Sequence, residues 1–171
     1  MISKKIEAAL NGQITNEAYA SNVYLSIACW CETKGLRNAT TFFYEQSAEE
    51  RMHMLKLVKY VNAAGGQVKL SAVKEPPGKF KSLKEIFEIS LAQEADYTKA
   101  FYSLVELSLA EKDFTTHSFL QWFVNEQREE ECLFQSLLDL IKLAGEESAN
   151  LLLIDIEIPK VRAAASSGEA K

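Results

Sequence analysis

Six residues carry the chemistry open to this sequence: Glu17, Glu50, His53, Glu94, Gln127 and Glu130. Glu50 and His53 stand three apart, as do Gln127 and Glu130, so each pair shares one face of a helix. That face is otherwise apolar. Around residue 50 the inward heptad positions read Phe43, Glu50, Leu57 and Gln46, His53, Tyr60. Around residue 127 they read Leu120, Gln127, Phe134, Ile141 and Phe123, Glu130, Leu137, Ala144. Glu17 falls between Leu10 and Tyr24, and Glu94 between Phe87 and Phe101. Carboxylates converging in an apolar core need a cation, or must hold protons and neutralise one another. Glu and His are ligands for Fe(II), Mn(II) or Zn(II), and no cysteine falls on these inward positions to build a thiolate site.

A lone Glu-x-x-His carries little weight, but here the spacing repeats. Glu17 precedes Glu50 by 33 residues and Glu94 precedes Gln127 by 33, so the two halves of the chain coincide at an offset of 77. Glu49-Glu50-Arg51 then matches Glu126-Gln127-Arg128, and Phe42 matches Phe119. Two similar helical hairpins related by a pseudo-twofold axis would bring all six groups into one layer.

The elements that must position them are set by sparse punctuation, seven glycines and three prolines. The pattern predicts an all-α protein, a four-helix bundle. The first helix runs from about Ser3 to Lys34 and the second from about Asn38 to Ala64. The third opens at Ser82-Leu83-Lys84-Glu85, which has the form of a capping box, and reaches about Lys112. The fourth is capped by Asp113 or Thr115 and ends at Gly145. Short turns join the first pair and the last pair. Residues 66–81, with Pro76-Pro77-Gly78, are long enough to run the bundle's full length, so one long crossover is expected, the connectivity of ferritin-like bundles. A short fifth helix, Ser148 to Ile158, carries Leu151, Leu152, Leu153, Ile154, Ile156 and Ile158 and is expected to stop at Pro159. Four helices already fill a bundle, so its apolar side is expected to bury against a neighbouring subunit. The reading is one domain over 1–160 followed by a disordered tail over 161–171.

Composition narrows the function. The chain has 171 residues, 47% hydrophobic, with a net charge of -5 and no Lys/Arg run, which argues against nucleic acid and anionic membranes as partners. Its apolar runs, such as Leu151 to Ile154, are far too short to span a bilayer. The start, Met1 to Glu7, passes straight into amphipathic helix, so no secretion signal is read and the expected location is cytoplasmic. Three cysteines, none in CxxC spacing, read as reduced and mostly buried thiols.

Other residues keep two readings. Tyr24, seven residues after Glu17, is either a site hydroxyl or a core tyrosine. Glu49, Glu126 and Glu129 form either an additional iron site or a solvated acidic face. His117 is a surface histidine or, with Asp113, lines an entry channel.

Glu17, Tyr24, Glu49-Glu50-Arg51-Met52-His53, Glu94 and Glu126-Gln127-Arg128-Glu129-Glu130 resemble the non-haem bacterial ferritins over about residues 1–160. The resemblance implies iron storage in a cage of 24 identical subunits. It implies ferroxidase chemistry, Fe(II) oxidised by O2 or H2O2 and stored as ferric oxyhydroxide. By it, Glu17, Glu50 and His53 hold one iron, and Glu50, Glu94 and Glu130 hold the other, with Gln127 close by. Glu49, Glu126, Glu129 and Glu130 correspond to a third iron site. No haem is expected, because Arg51 follows Glu50 where haem-binding relatives carry methionine. Gln127-x-x-Glu130 replaces a second Glu-x-x-His and removes one nitrogen ligand. Two rival readings are a stand-alone di-iron oxygenase or peroxidase and a metal-free structural bundle. The repeated polar layer and the scarcity of inward Lys or Arg speak against the second.

Overall fold

The computed structural model describes residues 1–145 and 148–167. The regular elements among the described residues are all helices, with no strand: α1 (Lys4–Thr33), α2 (Arg37–Ala63), α3 (Leu83–Ala110), α4 (Phe114–Ala144) and α5 (Ser148–Ser167). Caps set most boundaries. Ser3 accepts from the Ile6 N–H, Ser82 from the Glu85 N–H, and Asp113, not Thr115, from the Thr116 N–H. Gly35 and Gly65 take positive φ of 73° and 75° where α1 and α2 end, a conformation that a side chain would strain.

α1 packs chiefly on α2, and α3 on α4, as two hairpins. Between them the crossover runs alongside α1 in matching order. Lys69 donates its N–H to Asn11 Oδ1 at 2.7 Å, Lys74 lies over the Tyr19 ring, and Ser26 donates to the Pro77 carbonyl at 2.6 Å. The connection therefore travels from the start of α1 towards its end, where Phe80 meets Trp30 and α3 begins. This is a four-helix bundle with one long crossover and a C-terminal helix, as the punctuation predicts.

The core falls into two apolar clusters. One gathers Val23, Ile27, Phe43, Phe87, Phe134 and Leu137; the other gathers Ile6, Leu10, Ile14, Leu57, Phe101 and Phe123. The gap between them contains the buried polar residues Gln13, Glu17, Gln46, Glu50, His53, Glu94, Gln127 and Glu130. Each helix thus grips apolar neighbours above and below one polar layer.

α5 departs from expectation. It continues through Pro159 to Ser167, so residues 161–167 are helical, while 168–171 lie outside the described residues. A proline inside a helix removes one hydrogen bond and crowds the preceding turn. Packing on both sides of it holds the helix: Ile154 and Ile158 are buried in the first cluster, and Arg162 beyond the proline is bonded to α2. Burial against the chain's own bundle thus takes one side of α5, whereas Leu152 and Leu153 remain 65% and 60% exposed. The cysteines differ too: Cys31 is buried, but Cys29 and Cys132 are exposed. Two residues apart on one helix, Cys29 and Cys31 cannot both face inward.

Asp155 gives α5 a structural task. No side chain of α2 caps its own N-terminus; the buried Asp155 carboxylate accepts instead from the Ala39 N–H at 2.9 Å and from the Asn38 N–H at 3.2 Å. The Asp155→Ala variant leaves those donors buried and unpaired, and should lose about 1–2 kcal/mol. Thermal unfolding should show a melting temperature lower by about 2–8 °C; an unchanged value would remove the cap from the account of α2.

Candidate metal centre

The layer is assembled by heptad geometry. Glu17 comes from α1, Glu50 and His53 from successive turns of α2, Glu94 from α3, and Gln127 and Glu130 from successive turns of α4. All six lie at 5% exposure or less. The structure therefore brings together every residue of the predicted layer, and Tyr24, fully buried, joins them.

The carboxylates are not equivalent. Glu94 accepts from the Tyr24 hydroxyl on one oxygen and from Gln127 Nε2 on the other at 3.0 Å. Glu130 accepts from Gln46 Nε2 at 2.9 Å, and Glu17 from Gln13 Nε2 at 2.5 Å. His53 has no such tie. Its Nδ1 lies 3.7 Å from Glu17 Oε2 and 3.6 Å from Glu50 Oε2, beyond hydrogen-bonding reach, and both ring nitrogens lack a hydrogen-bond partner. Trp122 and Phe123 meet the ring edge-on and keep it in place. An unpartnered buried imidazole beside two carboxylates is an expensive arrangement for a protein alone and a good one for a cation.

Ligand atoms of Glu17, Glu50 and His53 lie within 4.8 Å of one another, as do those of Glu49, His53 and Glu126. These are the two groups that the described residues offer. Glu49, Glu126 and Glu129 are each half-buried, so the acidic face expected of them is neither fully solvated nor in the core. His117 lies apart, beside Gln121, and Asp113 is engaged in capping α4.

Burial dominates the electrostatics. It pushes the Glu50 carboxyl well above the usual carboxylate range, reinforced by Glu94 and Glu17. It does the same to Glu130, with Glu94 and Glu49 adding to it. Glu94 is raised to about 7 by burial, although the Tyr24 and Gln127 hydrogen bonds pull it back. Burial pushes the His53 imidazole down, but Glu17, Glu126 and Glu130 outweigh it and leave the ring more basic than usual. The Tyr24 hydroxyl is raised strongly by burial and by Glu94, so it stays a donor.

A model of the Ferritin-like domain matches residues 7–144. The chain belongs to the ferritin family. A bacterial non-heme ferritin of Campylobacter jejuni is 43% identical over 161 residues, covering 94% of this chain and 96% of that protein. A bacterial non-heme ferritin of Staphylococcus epidermidis is 39% identical over 158 residues, 92% of this chain and 95% of the relative. Among solved structures, an open pore ferritin from the archaeon Archaeoglobus fulgidus superposes with a TM-score of 0.90 at 40% identity, covering 92% of this chain and 98% of that one.

In this ferritin, sequence reasoning left three supporting residues unassigned. Gln46 is visible as an inward polar position, yet its hydrogen bond to Glu130 depends on how α2 and α4 are rotated against each other. Gln13 lies one turn before Glu17, a spacing that could have found it. Arg162 lies past Pro159, in a segment whose composition reads as a tail.

A raised carboxyl pKa fixes the sign of a pH effect. Between 4.5 and about 7 the folded chain keeps the Glu94 proton that the unfolded chain has released, so stability falls as pH rises through that window. A bound dication replaces the proton and removes the penalty. The melting temperature gained on adding Zn(II) should therefore widen by several degrees from about pH 5 to about pH 8. A gain that stays flat across that range would show that the buried carboxyls do not hold the metal.

Proposed function

We propose that this ferritin stores iron by oxidising Fe(II) at the layer within each subunit. The observation that carries the reading is His53, buried with both ring nitrogens unpartnered and its Nδ1 facing Glu17 and Glu50. Glu17, Glu50 and His53 take the first Fe(II). Glu50 bridges to a second held by Glu94 and Glu130, with Gln127 beside it. Each Glu94 oxygen engaged by Tyr24 or Gln127 keeps a further lone pair for a metal. Hard carboxylate oxygens favour Fe(III) over Fe(II) and so drive the loss of an electron from each ion. O2 takes both electrons with two protons and becomes H2O2; H2O2 as oxidant takes two electrons and two protons and becomes two waters. The Fe(III) hydrolyses and passes to a ferric oxyhydroxide mineral by way of Glu49, Glu126 and Glu129, which lie on the more exposed side of the layer.

A mineral needs an enclosed space. Leu152, Leu153 and Ile156 on the outer side of α5 are large exposed hydrophobics, which supports a homo-oligomer that covers them, here a 24-subunit cage. No described helix is long and apolar enough to cross a membrane, and we place the cage in the cytoplasm.

The test is iron retained per subunit after aerobic addition of a large Fe(II) excess and desalting. Many irons in a large particle are expected; about two would favour a stand-alone di-iron enzyme, and none a metal-free bundle. Glu50→Ala and His53→Ala should each slow initial Fe(II) oxidation about tenfold or more and leave the particle size unchanged. Wild-type initial rates in both variants would remove the site.

A further inference from the structure

Past Pro159, α5 delivers a cation to the rim of the polar layer. Arg162 Nη1 donates to Gln46 Oε1 at 2.6 Å, Nη2 donates to Glu49 Oε2 at 3.0 Å, and Nε lies 3.4 Å from Glu45 Oε2. The guanidinium also sits 5.2 Å from the centre of the Phe42 ring. Its side chain is 24% exposed and that of Glu49 27%. Four separate contacts on α2 make this a fixed group rather than a solvated surface arginine.

The same Glu49 belongs to the group whose ligand atoms converge with those of His53 and Glu126, and His53 Nε2, buried and unpartnered, lies 3.9 Å from Glu126 Oε1. A dication arriving there meets a guanidinium already bonded to Glu49. Two positive groups cannot share that carboxylate without repulsion. We propose that Arg162 is a tethered competitor cation: it occupies Glu49, so metal holds the outer group only by displacing the guanidinium, and the outer position passes iron on instead of retaining it. Gln46 gives the guanidinium a second anchor, from which it can return once the metal has left. The inference rests on the iron reading above and adds a residue which that reading does not use.

Zn(II), which does not change oxidation state, separates binding from oxidation. In calorimetric titrations of the full-length assembled protein, Arg162→Gln should bind its outermost Zn(II) on the order of tenfold more tightly than wild type. Arg162→Lys keeps the charge and should stay near wild type. Adding Glu49→Gln to Arg162→Gln should abolish the gain, an outcome that a general loosening of α5 would not produce. Arg162→Met, which keeps the alkyl stem over Phe42, replaces Arg162→Gln if that variant fails to assemble. Isotherms of Arg162→Gln that overlay those of wild type, or a gain that survives Glu49→Gln, overturn the proposal. Glu17→Ala reports on the other reading: if it leaves all Zn(II) binding unchanged the paired iron site falls, while the Glu49-dependent difference still decides the role of Arg162.

Discussion

Taking several carboxylates out of water, in one layer, with no internal lysine or arginine among them, is the constraint on which the rest of this structure depends. Desolvation raises Glu50, Glu94 and Glu130 together, and Glu94 makes both Glu50 and Glu130 harder to ionise. Such a layer is tolerable only if its neighbours hold it rigidly, because a collapsed or hydrated version would cost less. The bundle supplies that rigidity from both sides: Phe43, Phe87 and Phe134 pack above the layer, and Phe101 stacks on Phe123 below it at 4.7 Å between ring centres. Helices of about thirty residues follow from this, since a polar break at mid-helix needs an apolar grip at each end.

The remaining elements keep those helices in register. A crossover pinned along α1 fixes α3 against α1, which sets Glu94 opposite Tyr24. α5 ties down the opposite edge. Asp155 caps α2, and seven residues later Arg162 reaches the same helix about two to three turns further on, so one short helix both completes the start of α2 and touches the rim of its polar layer. Pro159 between them weakens the helix locally, and the packing of Ile154 and Ile158 outweighs that loss.

Much of this is legible in the sequence because two periodicities agree. A stripe at 3.6 residues tells which face of each helix points inward, and the offset of 77 tells which heights match, so spacing alone places Glu17, Glu50, His53, Glu94, Gln127 and Glu130 in one layer. Neither periodicity encodes the rotation of one helix about its axis against another, and the partners of Glu130 and Glu94 depend on that rotation. Local rules also mislead where tertiary packing overrides them. Pro159 reads as a stop, and Ala163-Ala164-Ala165 reads as tail, yet the helix persists because apolar and ionic contacts on α2 and α4 exceed the proline's cost.

The repeat also explains why the two halves of the centre are built differently. At the offset of 77, Tyr24 faces Phe101, Gln46 faces Phe123, and Gln13 faces Ser90. The first half therefore retains hydrogen-bond donors where the second half has phenylalanine or a serine that bonds its own helix. Two of those donors reach across the bundle: Tyr24 to Glu94 and Gln46 to Glu130, so the second half's carboxylates are oriented by the first half's side chains. His53, whose counterpart is Glu130, is left with both nitrogens open. A symmetric centre would hold two metals alike. This one offers an open nitrogen beside Glu17 and Glu50, and opposite it carboxylates already engaged as acceptors. On the iron reading proposed above, the first set would add an unused imidazole nitrogen to its carboxylates, of which Glu17 already accepts from Gln13, whereas the second would have only carboxylate oxygens, several of them shared with donors. On that reading, His53 opposite Glu130, together with the three flanking differences, would make one side of the near-repeat the firmer seat for a metal and the other the looser.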